Sequence, residues 1–460
     1  MSSENTKSHL NRELTLGQAS AINMIDMVGI GPFVSISIIS GLMLGPQCLF
    51  AWLLGAILAY MDGMVWAELG AKWPEAGGSY VFLQKLFGKW GRLMAFLFIV
   101  QTVIQAPLVM ASASIGFSDY LQYLVPLTVL QKKLVSGGLI MLVVVLLYRN
   151  IKGIGKMSVV LSVITIGTIC WLIFAGFTHF NAHMAFDGIQ NFGNDFTGRL
   201  GKSTLKAVYC YLGYYNVCHL GAEIKTPKKN IPKSIFISIT VIAVLYLCMQ
   251  TAIIGVLPWQ VFGNQAFKIG APGFVVSTFF EHIYNHGVAM VATVLILFIA
   301  LASLFAVTLG YSRIPYAAAR NGDFFPVFGK LHPRLHFPHV SLLVMGALAF
   351  VFSLLFRMQD VISAIVTVRI LIQFVSQAIG LIAWHRLHPK EDRPFKMPLF
   401  PLPAIISIII WLYILTFSGW KFVLLALGII VLGSVLYLLK QHFFPLKPSE
   451  NVETADQQST

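Results

Sequence analysis

Charge is what this 460-residue chain has least of: Asp, Glu, Lys and Arg make up 11% of it, against about 25% in an ordinary globular domain. So few charges cannot cover a water-facing surface. That excludes a disordered chain and an ordinary cytosolic enzyme. Cysteine is scarce too. The five present (Cys48, Cys170, Cys210, Cys218 and Cys248) all lie inside apolar stretches, which reads as free thiols and excludes a disulfide scaffold. No cleavable leader is expected, because the first sixteen residues are mostly polar and a full-length apolar span follows directly. There is no phosphate-binding loop, metal-ligand cluster or nucleophile–base pair, and the twelve histidines are scattered. An enzyme, a bound metal and a cofactor are therefore not expected.

Acidic residues are fewer than basic ones, 18 against 32. An excess of bases gathered on one face would suggest nucleic acid. Here they fall in short runs between apolar stretches, which fits membrane orientation and no nucleic-acid partner.

Apolar residues, in contrast, reach 57%. A bilayer core of about 30 Å needs roughly twenty apolar residues in a helix, and such stretches recur at 17–43, 47–69, 91–118, 134–148, 154–178 and 203–222. The series continues at 235–257, 287–312, 338–356, 361–384, 398–418 and 422–439. The fourth is short and can extend back across Lys132 and Lys133. The reading is an all-α membrane protein of twelve transmembrane helices. With a cytoplasmic N-terminus, 23 of the 32 Lys and Arg fall on inner segments, 8 on outer ones and Arg369 within a span. The inner bases include Lys72, Lys85, Lys89 and Arg92, then Arg149, Lys152 and Lys156, and later Arg334. Both termini are expected inside a plasma membrane, the bacterial inner membrane being the natural setting.

Two spans carry the marks of a break. Irregular backbone at membrane depth survives only beside protein or a cavity. Met27-Val28-Gly29-Ile30-Gly31-Pro32-Phe33 lies mid-span in the first helix. Its glycines permit unwinding, and Pro32 suits the first turn of a new helix. Free amides there would favour an anion. In the sixth span, Tyr209-Cys210-Tyr211-Leu212-Gly213-Tyr214-Tyr215-Asn216 is a second weak point. Breaks five spans apart point to two inverted five-helix repeats around a midplane site. The division expected is a tail at 1–16, repeats at 17–178 and 203–386, two extra helices at 398–440 and a tail at 441–460.

The motifs resemble those of the amino acid–polyamine–organocation (APC) transporters, near the L-type amino-acid transporter branch. They are Val28-Gly29-Ile30-Gly31-Pro32-Phe33, Ala67-Glu68-Leu69-Gly70 with Pro74-Glu75-Ala76-Gly77-Gly78, and Glu223-Ile224-Lys225-Thr226-Pro227. Ala319-Arg320-Asn321-Gly322, His332-Pro333-Arg334 and Arg393-Pro394-Phe395-Lys396 complete the set. The resemblance implies a LeuT-type fold with broken first and sixth helices. It also implies a substrate site drawn from Val28, Gly29, Ile30 and Gly31 with Tyr209, Cys210, Tyr211, Leu212, Gly213 and Tyr214. The substrate carboxylate would meet amides of Ile30 and Gly31, and its amino group carbonyls of Tyr209, Cys210 and Leu212. Three departures stand out. Ile30 replaces a small hydroxyl residue. Thr168 stands where many relatives carry a coupling lysine. The loop 119–133 lacks the cysteine that links a glycoprotein heavy chain, so no covalent heavy chain is expected.

Ionisable groups inside spans are costly and are functional candidates by default. Asp26, Asp62 and Arg369 are such groups. The two carboxylates sit at similar depth on consecutive helices, and a close pair in low dielectric cannot both be charged cheaply, which suits proton coupling. A structural role or contact with a cationic substrate are the alternatives. Arg369 with Gln373 and Gln377 makes a polar stripe, either a clamp between helices with Asp26 or Asp62 as counter-ion, or a gate or contact to a substrate carboxylate. Counting from the outer end of its span puts Arg369 and Asp62 in opposite thirds of the bilayer. Ser303 and Thr308 are candidates for sodium, and Gln101 and Gln105 are polar sites in the third span. The function expected is secondary transport of amino acids, with a neutral side chain first and a cationic amino acid or polyamine second. Coupling to H+ or Na+, or exchange, all remain open, as does a non-transporting sensor.

Overall fold

The computed structural model describes residues 12–148, 154–190, 192–262, 274–333 and 337–443, without the side chains of 154–162, 260 and 261. Arg149, Lys152, the Lys156 side chain, Arg334 and most of both tails lie outside the described residues. Among the described residues every regular element is helical, and the extended contacts are two isolated bridges, Leu14 with Ile224 and Ala76 with Leu220. In order come α1 (Leu16–Met27), α2 (Gly31–Met43), α3 (Cys48–Lys72), α4 (Ser79–Leu86), α5 (Gly91–Leu124) and α6 (Val129–Tyr148). They are followed by α7 (Ile154–Thr178), α8 (Ala182–Phe186), α9 (Phe196–Tyr211), α10 (Asn216–His219), α11 (Pro227–Ile254) and α12 (Val275–Ile283). The last are α13 (His286–Arg320), α14 (His339–Leu355), α15 (Met358–Arg369), α16 (Ser376–Leu387), α17 (Leu402–Phe417) and α18 (Trp420–Phe443).

Among the described residues, seven helical runs are long and apolar enough to cross a bilayer, or eight if α1 and α2 form one span bent by 49°. The chain is thus a multi-pass membrane protein. Large apolar side chains on its outside, such as Leu53, Phe174, Phe298 and Val431, are exposed. In water they would form sticky patches; in lipid they face a matching solvent.

Local chemistry sets several boundaries. Thr15 caps α1 by accepting from the Gln18 amide, while the Gln18 side chain accepts from the Thr15 amide. α6 starts at Val129, earlier than the apolar run alone suggests, because Lys132 is neutralised there by Asp119 and donates to Gln122 at 3.1 Å. Between α15 and α16 the chain forms a π-turn, Ile370–Val375. That wider turn shifts the register of Gln373 and Gln377 relative to Arg369.

Helices in lipid associate by close packing and polar contacts, since apolar burial offers no gain over lipid tails. α3 illustrates both. Its Gly55, Gly63 and Gly70 lie against Tyr211, Ile239 and Cys218, so α9 and α11 approach closely. Its Trp52 donates to Gln250 at 2.9 Å and packs on Tyr211 and Tyr246. α5 is a central strut against α6, α13, α14 and α15, while α18 rests on the outside of α5 and α15. α1 packs on α10 and α11, and α2 on α9, which brings the interruptions in both helices together.

Candidate functional site

α1 ends at Met27, and the helix resumes as α2 at Gly31 with Pro32 in its first turn. α9 ends at Tyr211. Leu212 leaves the helical region, Gly213 takes φ +124°, and α10 begins at Asn216. Gly213 is required twice over: that φ is strained for any side chain, and a Cβ would sit 2.7 Å from Asp26 Oδ2. Gly31 is needed for a different reason, since a Cβ there would lie 2.8 Å from the Tyr209 ring.

The two interruptions are tied to each other. The Tyr246 hydroxyl lies 2.7 Å from the Met27 carbonyl and 3.2 Å from that of Cys210, so one donor serves a free helix end on each side. Asn23 of α1 donates to the Tyr214 carbonyl at 2.7 Å and accepts from the Val217 amide at 2.8 Å. A buried amide thus replaces backbone bonds lost at the second break.

A cavity of about 50 Å³ lies where these ends meet. Gly29, Ile30 and Gly31 form one wall and Tyr209, Cys210 and Leu212 the facing one. Val109, Ser112 and Ala113 of α5 contribute, as do Ser303, Val307 and Tyr311 of α13. Asp26, Met27, Tyr215, Ile365 and Arg369 complete the lining. Tyr209 is held over the space by a 2.9 Å hydrogen bond with Ser112.

Arg369 is buried, and it is reached by hydroxyls rather than by a carboxylate. One terminal nitrogen donates to the Tyr215 hydroxyl and the other to Tyr311 at 2.9 Å. Its Nε has no partner among the described residues, and none of the ion pairs among them includes it. Asp26 attracts it across the cavity and is hydrogen-bonded by Asn216. The depth estimate for Arg369 is corrected: the helix starts at Met358, and Arg369 lines the same cavity as Asp26 and donates to Tyr215 there.

The expected carboxylate pair is not assembled. Asp62 is not part of this cavity's lining; it accepts from Tyr214 at 2.5 Å and from the Trp411 indole at 3.2 Å. Four other residues expected at the site also face elsewhere. Tyr214 is spent on Asp62, Tyr211 donates to the Trp52 carbonyl at 3.2 Å, and Gly213 backs onto Asp26. Val28 is buried away from the lining. Thr168 donates to its own Ile164 carbonyl at 2.7 Å, and Thr308 to Leu304 at 2.6 Å, the usual fate of a hydroxyl in a membrane helix. Gln373 donates to Ser79 at 3.2 Å and accepts from Gln101 at 3.4 Å, one to two turns beyond the cavity. Gln105 is buried with an amide nitrogen unpartnered among the described residues. Ser303 does reach the first break, its Oγ 2.8 Å from where a Gly29 Cβ would sit.

Sequence reasoning missed Tyr311, Tyr215, Ser112 and Asn23. A usable signal existed for one of them: Ser303, Val307 and Tyr311 follow at i, i+4 and i+8 on one helix face. It also passed over Lys206, which lies inside the stretch read as a span at 203–222. Lys206 is buried in α9 and donates to the Gln359 carbonyl at 2.6 Å and Ser363 at 2.7 Å.

An all-helical membrane bundle with two interrupted helices around a partly polar cavity is the architecture of a solute carrier. The sequence pattern of the amino acid permease family matches residues 14–444, so the chain belongs to that family. It is 29% identical to an aspartate–proton symporter of Bacillus subtilis, over 90% of this chain and 80% of that protein. A branched-chain amino acid permease of the same organism is 22% identical over 94% of this chain and 93% of its own length. A serine/threonine exchanger, also of Bacillus subtilis, is 25% identical over 79% and 80%.

Proposed function

We propose that this chain is a secondary active transporter that moves amino acids across the plasma membrane by alternating access. The observation carrying this reading is the convergence of two free helix ends on one cavity. The N-terminus of α2 offers unbonded amides to a carboxylate, and the C-terminus of α9 offers carbonyls to an ammonium group. Together they complement the backbone groups of a free amino acid.

The architecture proposed is a LeuT-type arrangement of twelve spans with two inverted repeats, 17–178 and 203–386, and two extra helices at 398–440. Support comes from pairwise packing: α3 lies on α11, α5 on α13 and α6 on α14. Each pair joins helices five spans apart, as a two-fold axis between repeats requires. The positive-inside bias supports cytoplasmic termini and, with the bacterial relatives, the inner membrane.

The relatives' names span acidic, branched-chain and hydroxyl substrates, as well as symport and exchange, so membership alone leaves the side chain open. A cationic substrate is less well supported, because Asp62 is turned away and Asp26 already faces Arg369. The test is uptake of labelled amino acids by proteoliposomes of the purified protein, with arginine and putrescine as competitors. Accumulation of an amino acid that unlabelled amino acids suppress is expected. Binding without uptake would leave a sensor, and absence of both across all twenty would reject the reading.

A further inference from the structure

We propose that the substrate carries an anionic side chain, that Arg369 pairs with it, and that the displaced partner, Asp26, carries the coupled proton. This rests on the transport reading and deepens it.

The cavity lining holds two side chains that can carry a full charge, Asp26 and Arg369. A guanidinium keeps its proton in any protein environment, so its burial must be compensated by an anion. Here the compensation is indirect. Tyr215 and Tyr311 hold the guanidinium by two of its five N–H groups, and Nε remains unpartnered among the described residues. The two tyrosines are neutral acceptors. They orient the planar group without neutralising it and leave donors for the fork geometry that a carboxylate completes. Asp26 is held instead by Asn216 and against Gly213, and it attracts Arg369 from a distance.

The backbone groups of an amino acid already have places at the two broken helix ends, so what reaches Arg369 is the side chain. A neutral one would cover the guanidinium and leave it with Asp26 as a remote counter-charge. A second carboxylate would pair with it directly. Two anions would then face one cation in a low-dielectric space, an arrangement relieved when one of them binds a proton. The substrate carboxylate makes the direct contact, so the proton goes to Asp26. Among the described residues, the other ionisable groups lining the cavity with Asp26 and Arg369 are Tyr209, Cys210 and Tyr215 from the second broken helix and Tyr311 from α13. They are three phenols and a thiol, and none is a carboxylate or imidazole that would compete for the proton. One proton from the outer solution binds an Asp26 oxygen as one side-chain anion binds Arg369, and both leave inside. The cavity's net charge is the same before and after loading. By linkage, each ligand raises the affinity for the other by the same factor.

The test uses purified protein in proteoliposomes, with labelled aspartate and glutamate against asparagine, glutamine and leucine. Wild type should take up an acidic amino acid at least about tenfold better than its amide, with uptake driven by an inward proton gradient. Arg369→Gln should abolish that preference, and Asp26→Asn should lose accumulation driven by the proton gradient. Equal uptake of asparagine and aspartate by wild type would overturn the inference while leaving transport intact. So would an unchanged acid-to-amide ratio in Arg369→Gln, or proton-driven accumulation persisting in Asp26→Asn. Where a variant does not fold, the wild-type ratio and its proton dependence decide the matter alone. No uptake or binding of any amino acid would instead remove the transport reading itself.

Discussion

Asp26 and Asp62 look alike in the sequence: lone aspartates at similar depth on consecutive spans. The fold separates them. Asp62 is wholly buried, both oxygens accepting from bulky donors, and Trp411 is itself stacked on Phe374 at 4.2 Å between ring centroids. It joins α3, the second break and α17. Asp26 faces the cavity, has one amide neighbour, and shares the space with a guanidinium it does not touch. A carboxylate with its bonds filled holds helices together; one with open coordination across a cavity can exchange partners. Depth alone does not tell the two roles apart.

This comparison can be broken by experiment. The largest difference expected concerns energy coupling. Asp26→Asn should reduce accumulation driven by a proton gradient about tenfold or more, a change of about 1.4 kcal/mol, whereas Asp62→Asn should leave the gradient dependence of its residual uptake as in wild type. Proteoliposome uptake at a clamped pH difference separates them; loss of coupling in both would restore the carboxylate-pair idea. Next comes stability. Asp62→Ala strands two buried donors at about 1–3 kcal/mol each, so unfolding in detergent should show a loss of several kcal/mol.

Tyr214→Phe removes one donor to Asp62 and should cost about 1.5–3 kcal/mol. Combined with Asp62→Ala the two losses should be far from additive, which a double-mutant cycle on the same unfolding signal would reveal. Thr168→Val should change neither coupling nor stability by more than about 1 kcal/mol, because that hydroxyl serves only its own helix. The smallest effect belongs to an exposed ion pair. Lys72 lies 2.7 Å from the exposed Glu391 and holds its carboxyl below the ordinary range. That contribution is present at neutral pH and fades as pH falls through the lowered value. Glu391→Gln should leave uptake and unfolding temperature within experimental scatter.

Much of the architecture was legible because lipid enforces simple rules. The apolar stretches from 91 and from 422 map onto α5 and α18 with only their ends displaced. The glycines at 29, 31 and 213 marked both interruptions, since few other signals exist for backbone that must unwind inside a membrane. The site was only half legible. Gly29, Ile30, Gly31, Tyr209, Cys210 and Leu212 line the cavity, while Tyr211 and Tyr214, from the same motif, bond outward to Trp52 and Asp62. Once a chain unwinds, helical periodicity no longer says which way a side chain points. Lys206 escaped for a related reason: a base three residues into a span reads as loop until Gln359 and Ser363 of a distant segment are seen to receive it.

By itself, then, the order of residues determined where helices run through lipid, where two of them are interrupted, and that few charges remain inside. These are local consequences of desolvating backbone and charge. Only the tertiary structure decided which buried charge meets which partner. A cation such as Arg369 finds its tyrosines on α13 and beside α10, separated from it by 58 and 154 residues, and no local rule relates such distances along the chain.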